Sequence, residues 1–225
     1  MASSAPVVLA LNNTITPAVA LEILPHGLAV NRIYLNADGE THDIVEGPLD
    51  TGLHQTPPYK YVNTIVGRYV NRIPVTGKPH VIEKNGYSAS VNPVHNESEK
   101  VSLHGGPNAL DTVLFDTIDA TKSMLFSAAE LADLKKTDYS NALFATTMAD
   151  GSNGFPGTLR VEVLFVLVEP TTTPAVEPSK YAELGSLVVV YRARLAETNQ
   201  ITPINLTQHW GFNLEASTRP TPHLN

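Results

Sequence analysis

The segment INLTQHWGFNL, Ile204 to Leu214, sets a histidine at the centre of a small polar face. With the side-chain period of a strand, Ile204, Leu206, Gln208, Trp210, Phe212 and Leu214 fall on one side. That set is expected in a core, with Gln208 its one polar member. Asn205, Thr207, His209, Gly211 and Asn213 fall on the other side. A second histidine, His104, precedes two glycines in VSLHGGPNALD, and Asn71 and Arg72 lie in NTIVGRYVNRI. Histidine exchanges protons near neutral pH, so such residues suit general acid–base work. A glycine within the strand leaves room for something to approach closely.

Other chemistries lack their residues. There is no G-x-S-x-G elbow, no phosphate-binding P-loop and no G-x-G-x-x-G. The eight histidines show no H-x-H or H-E-x-x-H spacing, so no metal site is expected. The chain has no cysteine and therefore no thiolate or disulfide chemistry. Its net charge is −7 and its pI about 5.6. That balance disfavours nucleic acid or an anionic membrane as a partner.

The elements that must position these residues read as strands. GLAVNRIYL (27–35) runs into the turn signal NADGE. LRVEVLFVLV (159–168) puts Leu159, Val161, Val163, Phe165 and Leu167 on one face, and SLVVVYRARL (186–195) does the same with Leu187, Val189, Tyr191, Ala193 and Leu195. Clusters such as ADGSNGFPG and EPTTTPAVEPSK, and many of the 17 prolines, suit long surface loops. One short helix is expected near SAAELADLKK, where Ser127 and Glu130 have capping-box spacing. No linker divides the chain, so residues 1–225 are expected to form one all-β domain. The N-terminus lacks a basic n-region, and Val7–Leu11 is short for a signal core. No apolar run approaches the roughly 18 residues of a membrane span. The expected location is the cytoplasm. Sequons at Asn12, Asn96 and Asn205 carry little weight against it.

Together the segments NTIVGRYVNRI, VSLHGGPNALD, DGSNGFPGTLRVEVLFVL and TPINLTQHWGFNL resemble the aldose 1-epimerase (galactose mutarotase) family. The family carries V-G-R-x-A-N-R-I, L-H-G-G, G-F-P-G and N-L-T-N-H-x-Y-F-N-L segments in that order. The resemblance implies a large antiparallel β-sandwich, the supersandwich. It also implies a hexose as small-molecule partner, no cofactor, and interconversion of α and β anomers. By motif, Asn71 and Arg72 would bind sugar hydroxyls, His104 would sit near the ring oxygen, and His209 would be the general acid. The polar face of the last strand adds Asn205 and Asn213 as sugar-binding candidates. On a regular strand Arg68 and Arg72 would share one face as a solvated pair, with Asn71 on the other. Asn71 and Arg72 can therefore meet one ligand only if the backbone there is irregular.

The chain departs from the family at Val70, Ala109, Leu110, Gln208, Trp210 and Gly211, which leaves the sugar preference open; the oligomeric state is open as well. Family members continue well beyond the last motif, into a portion that carries a sugar-binding Asp and the Glu base. The sandwich is thus expected to be incomplete at the C-terminus, with open sheet edges and partial or absent activity. After His209 the sole acidic residue is Glu215. A continuing strand would carry it about 20 Å away. Asp111 and Glu162 are upstream carboxylates that could substitute. Two alternatives stand beside the epimerase: a non-catalytic carbohydrate-binding module, and a hexose-6-phosphate 1-epimerase relative using Arg68, Arg72 and Arg160.

Overall fold

Alternation of side chains between two apolar environments explains the longest strands. The computed structural model describes residues 5–11, 16–37, 39–136, 140–170 and 183–214. The strands are β1 (Val7–Ala10), β2 (Val19–Leu24), β3 (Ala29–Ala37), β4 (Glu40–Asp43), β5 (Ile65–Val66), β6 (Arg72–Pro74) and β7 (His80–Lys84). They continue with β8 (Tyr87–Val91), β9 (Val101–Leu103), β10 (Asp116–Thr117), β11 (Asn141–Met148), β12 (Leu159–Val168), β13 (Ser186–Leu195) and β14 (Thr207–Gln208). Among the described residues they form two four-stranded antiparallel sheets, β1-β2-β3-β4 and β10-β11-β12-β13. Three short pairs complete the pattern: β14 with β5, β6 with β9, and β7 with β8.

One apolar core draws on both large sheets, which makes the fold a sandwich. Leu9, Leu21, Ile23, Val30 and Ile33 meet Phe144, Met148, Val161, Val163, Phe165 and Leu167. The expected inward face of β12 is wholly in this core, and the expected face of β13 packs half-buried against it. The opposite face of β12 starts polar and ends with Leu164 and Val166. These two enter a smaller cluster with Phe126, Leu131 and Leu143. Helix α1 (Ala128–Lys136) caps that cluster through Leu131. Its capping box forms as expected. The Glu130 backbone N–H donates to Ser127 Oγ (3.3 Å), and the Ser127 N–H donates to the Glu130 carboxylate (2.8 Å). The expected turn at NADGE closes the β3–β4 hairpin, where Ala37 pairs with Glu40 and Gly39 has φ +79°. No described helix is long and apolar enough to cross a membrane.

The last motif departs from the expected alternation. Gln208 is buried, but Ile204, Phe212 and Leu214 are exposed, and Asn213 is buried. The cause is a change of partner. Thr207 and Gln208 pair with Val66 and Ile65. The Trp210 N–H then bonds back to the Gln208 carbonyl (3.1 Å), turning the chain at His209. From there the Gly211 carbonyl accepts from Glu46 N–H, and the Asn213 N–H donates to the Ile44 carbonyl. A segment split between two partners cannot keep one period. Buried Gln208 is satisfied: its amide donates to the carbonyls of Leu28 (2.8 Å) and Asn63, and Tyr191 donates its hydroxyl to Gln208 Oε1 (3.2 Å).

Candidate active site

Three of the four motifs are tied together by main chain. Arg72 lies opposite Leu103 in the β6–β9 pair. The next residue, His104, donates its N–H to the Asn71 carbonyl (2.8 Å) and takes a left-handed conformation, φ 53°. Gly105 follows with φ +94°, and a Cβ there would collide with the Gly67 carbonyl and the Arg68 nitrogen. Only glycine permits that approach. Asn205 joins from the third motif. Its N–H donates to the Arg68 carbonyl (2.9 Å) and its side-chain amide to the Val70 carbonyl (3.0 Å).

These contacts set the two histidines ring to ring. The His104 and His209 centroids are 5.1 Å apart at 73°. Tyr61 packs edge-on against the other side of His104, at 5.0 Å. The backbone between β5 and β6 is irregular, with a bend at Asn71. Accordingly Arg72 Nη1 donates to Asn71 Oδ1 (3.2 Å), so the two side chains meet as one ligand would require. Asn71, Arg72, His104 and His209 thus gather at one place. Asn205 reaches them through the loop it braces. Asn213 lies beyond the turn, buried and held by Ile44.

The Arg68–Arg72 surface pair that a regular strand would give does not form. Arg68 is fully buried and donates Nη1 to the carbonyls of Pro156 and Gly157 (both 2.8 Å) and to Thr202 Oγ1 (3.2 Å). It fastens the G-F-P-G segment to the site loop. An extended backbone would have faced it outward with Arg72; the irregular path turns it in. Arg72 instead forms a two-pronged ion pair with Glu97: Nε to Oε2, 2.7 Å, and Nη2 to Oε1, 2.5 Å.

Of the upstream carboxylates, Glu162 accepts from Ser123, Met124, Leu125 and Arg160 and anchors the 123–125 turn. Asp111 is buried, with the Lys60 ammonium 4.0 Å away. Glu215 lies outside the described residues, as does Asn12. Sequence reading passed over Tyr61, Asn96 and Glu97. Asn96 accepts from Leu103 N–H (2.6 Å) and donates to the Leu103 carbonyl (3.0 Å) and the Tyr61 hydroxyl (3.3 Å), bracing His104 from both sides. These three sit on loops, where no periodicity marks them. Glu46 was also passed over; its carboxylate lies 3.3 Å from where a Cβ on Gly211 would stand.

Burial, then the nearby His209 and Arg72, hold His104 at about 4, below its ordinary 6.5. His104 is therefore neutral at physiological pH. His54, buried with Nε2 2.9 Å from Asn31 Oδ1, is likewise held at about 4, chiefly by burial. The unfolded chain takes a proton on each near pH 6.5, the folded chain only near 4. Their stabilisation is thus complete above pH 6.5 and drains away as pH falls to 4. Asp111 acts oppositely, because burial raises it to about 6 and the folded state gains its proton first. Two histidines outweigh one aspartate, so urea unfolding is expected to show a loss on the order of 2 kcal/mol between pH 7 and 4.5. His54→Gln should flatten that slope, and a wild-type profile level over this range would refute the account.

No protein-family model matches the chain. Curated relatives do. The galactose mutarotase of Bos taurus is 29% identical over 203 residues, which cover 89% of this chain and 46% of that protein. The galactose mutarotase of Homo sapiens is 27% identical over the same shares. The bifunctional protein gal10 of Schizosaccharomyces pombe is 26% identical over 174 residues, 76% of this chain and 20% of that one. The chain spans about half the length of the mutarotases it matches. Among solved structures, a GalM/aldose epimerase homologue from C. elegans superposes with a TM-score of 0.58 at 16% identity, covering 94% of this chain and 52% of that one. Galactose 1-epimerase from Lactobacillus acidophilus NCFM gives 0.56 at 13% identity, covering 94% and 54%. Sequence and fold agree: the chain is similar to galactose mutarotases in sequence and to aldose epimerases in fold.

Proposed function

We propose that this chain binds a neutral hexose, such as galactose or glucose, and assists interconversion of its anomers. The observation that carries the reading is the face-to-edge approach of His104 and His209 beside Asn71 and Arg72. Anomer exchange opens a hemiacetal. The C1 hydroxyl gives its proton to water, the C1–O5 bond breaks as O5 gains one, and the aldehyde recloses on its other face. His209 is exposed and reachable by a ligand, and acts as the acid that protonates O5. Neutral His104 offers a hydrogen bond near the ring oxygen without a second positive charge. Asn71 and Arg72 hold hydroxyls and fix the ring relative to the histidines. The two sheets share one core, which supports reading the chain as one domain.

Acid assistance alone supplies a modest rate gain, on the order of 100-fold or less. The test is polarimetry with freshly dissolved α-D-galactose and α-D-glucose. Mutarotation faster than buffer, saturating with sugar, is expected. A buffer-like rate together with retained sugar binding would move the chain to the alternative reading, a carbohydrate-binding module.

A further inference from the structure

We propose that Glu97 sets the charge preference of this site, so that it accepts neutral aldoses and turns away aldoses carrying a phosphate or carboxylate. The inference rests on the hexose reading above and concerns the same site. Arg72 is the cation placed beside the two histidines, and guanidinium groups recognise phosphate and carboxylate with a paired fork of N–H donors. Here that fork is occupied. Nε and Nη2 both donate to the Glu97 carboxylate, and Nη1 donates to Asn71 Oδ1. Three of the five N–H donors are thereby engaged, and the two that remain lie beside the Glu97 carboxylate. Next to that negative charge, the remaining donors fit neutral hydroxyl oxygens. An anionic group would have to displace Glu97 or sit beside its negative charge.

The field of Glu97 also reaches into the site, since His104 and Glu97 influence each other electrostatically. The other arginines considered for an anion are engaged elsewhere. Arg68 is buried against Pro156, Gly157 and Thr202, and Arg160 is paired with Glu162. Nothing at these positions compensates for Glu97.

A pair serving only to fasten the 96–100 turn to β6 would be indifferent to ligand charge, so charge is the variable to change. Affinities of wild type and Glu97→Gln are measured by ligand-observed NMR for D-galactose, D-galactose 6-phosphate and D-galacturonate, at low and high salt. Glutamine keeps the shape and can still accept from Arg72. Wild type is expected to favour galactose over both anions by tenfold or more at low salt, and added salt should narrow the gap. Glu97→Gln should shift the ratio toward the anions by about tenfold. An unchanged ratio in the variant, with galactose still bound by wild type, overturns the role of Glu97 alone. Failure of wild type to bind galactose overturns the hexose reading and this inference with it. Should Glu97→Gln unfold, the wild-type ratio and its salt dependence still decide: equal affinity for galactose and its 6-phosphate overturns the proposal.

Discussion

His209→Ala is expected to return anomer interconversion to the buffer rate. The side chain is exposed, and its ring contact is with His104. Removing it deletes the proton donor and little packing, so the unfolding free energy should move by no more than about 0.5 kcal/mol. A fall of up to about 100-fold in rate corresponds to about 2.7 kcal/mol of lost transition-state stabilisation. The separation of a large kinetic effect from a small thermodynamic one is the signature sought. Imidazole in the buffer should restore part of the rate, because a diffusible donor can enter the vacated space. Full activity in the alanine variant would remove His209 from the mechanism. Equal losses of activity and stability would assign it a structural role.

The second large effect is at Arg68. Arg68→Met removes the donors serving the Pro156 and Gly157 carbonyls and Thr202 Oγ1, at a residue with no exposed surface. Each buried carbonyl left without a donor costs about 1–3 kcal/mol. A loss of about 3 kcal/mol or more in urea unfolding is therefore expected, a large fraction of the stability of an ordinary domain. Arg68→Lys should recover part of it, since a single ammonium retains charge but lacks the planar spread of donors. A Met variant within 1 kcal/mol of wild type would mean that these contacts are not what holds the loop. The Arg68 carbonyl also accepts from Asn205, so sugar affinity should fall with stability in this variant.

Much of the sandwich was legible because its strands obey one rule over their whole length. Leu159–Val168 and Ser186–Leu195 are regular strands with the expected faces inward. The capping box at Ser127 was legible for a similar reason, being local chemistry at fixed spacing. Prediction failed where the chain changes partners or leaves regular backbone. Phe212 and Asn213 exchanged environments because a turn at His209 resets the register. A solvated face shared by Arg68 and Arg72 needed a regular strand, and the bend at Asn71 removes that condition. Glu97 and Tyr61 carried no signal, since a loop residue announces its partner only when the loop is folded. The histidines were found through their motif segments, and the structure then brought those segments into contact.

The bond between β14 and β5 has a consequence for how the molecule assembles itself. Thr207 meets Val66 across roughly 140 positions of chain, and the pairing involves two residues on each side. By contrast β11 and β12 are near neighbours with eight matched positions. Closing the longer loop costs about 2 kcal/mol more than closing a ten-residue hairpin. The segment bearing His209 is thus expected to dock after the sheets have formed and to detach before they open. A sugar touching both His209 and the Asn71–Arg72 side would bridge that seam. By mass action it would tighten that long-range closure, so that substrate would serve as a latch on the very segment that acts on it.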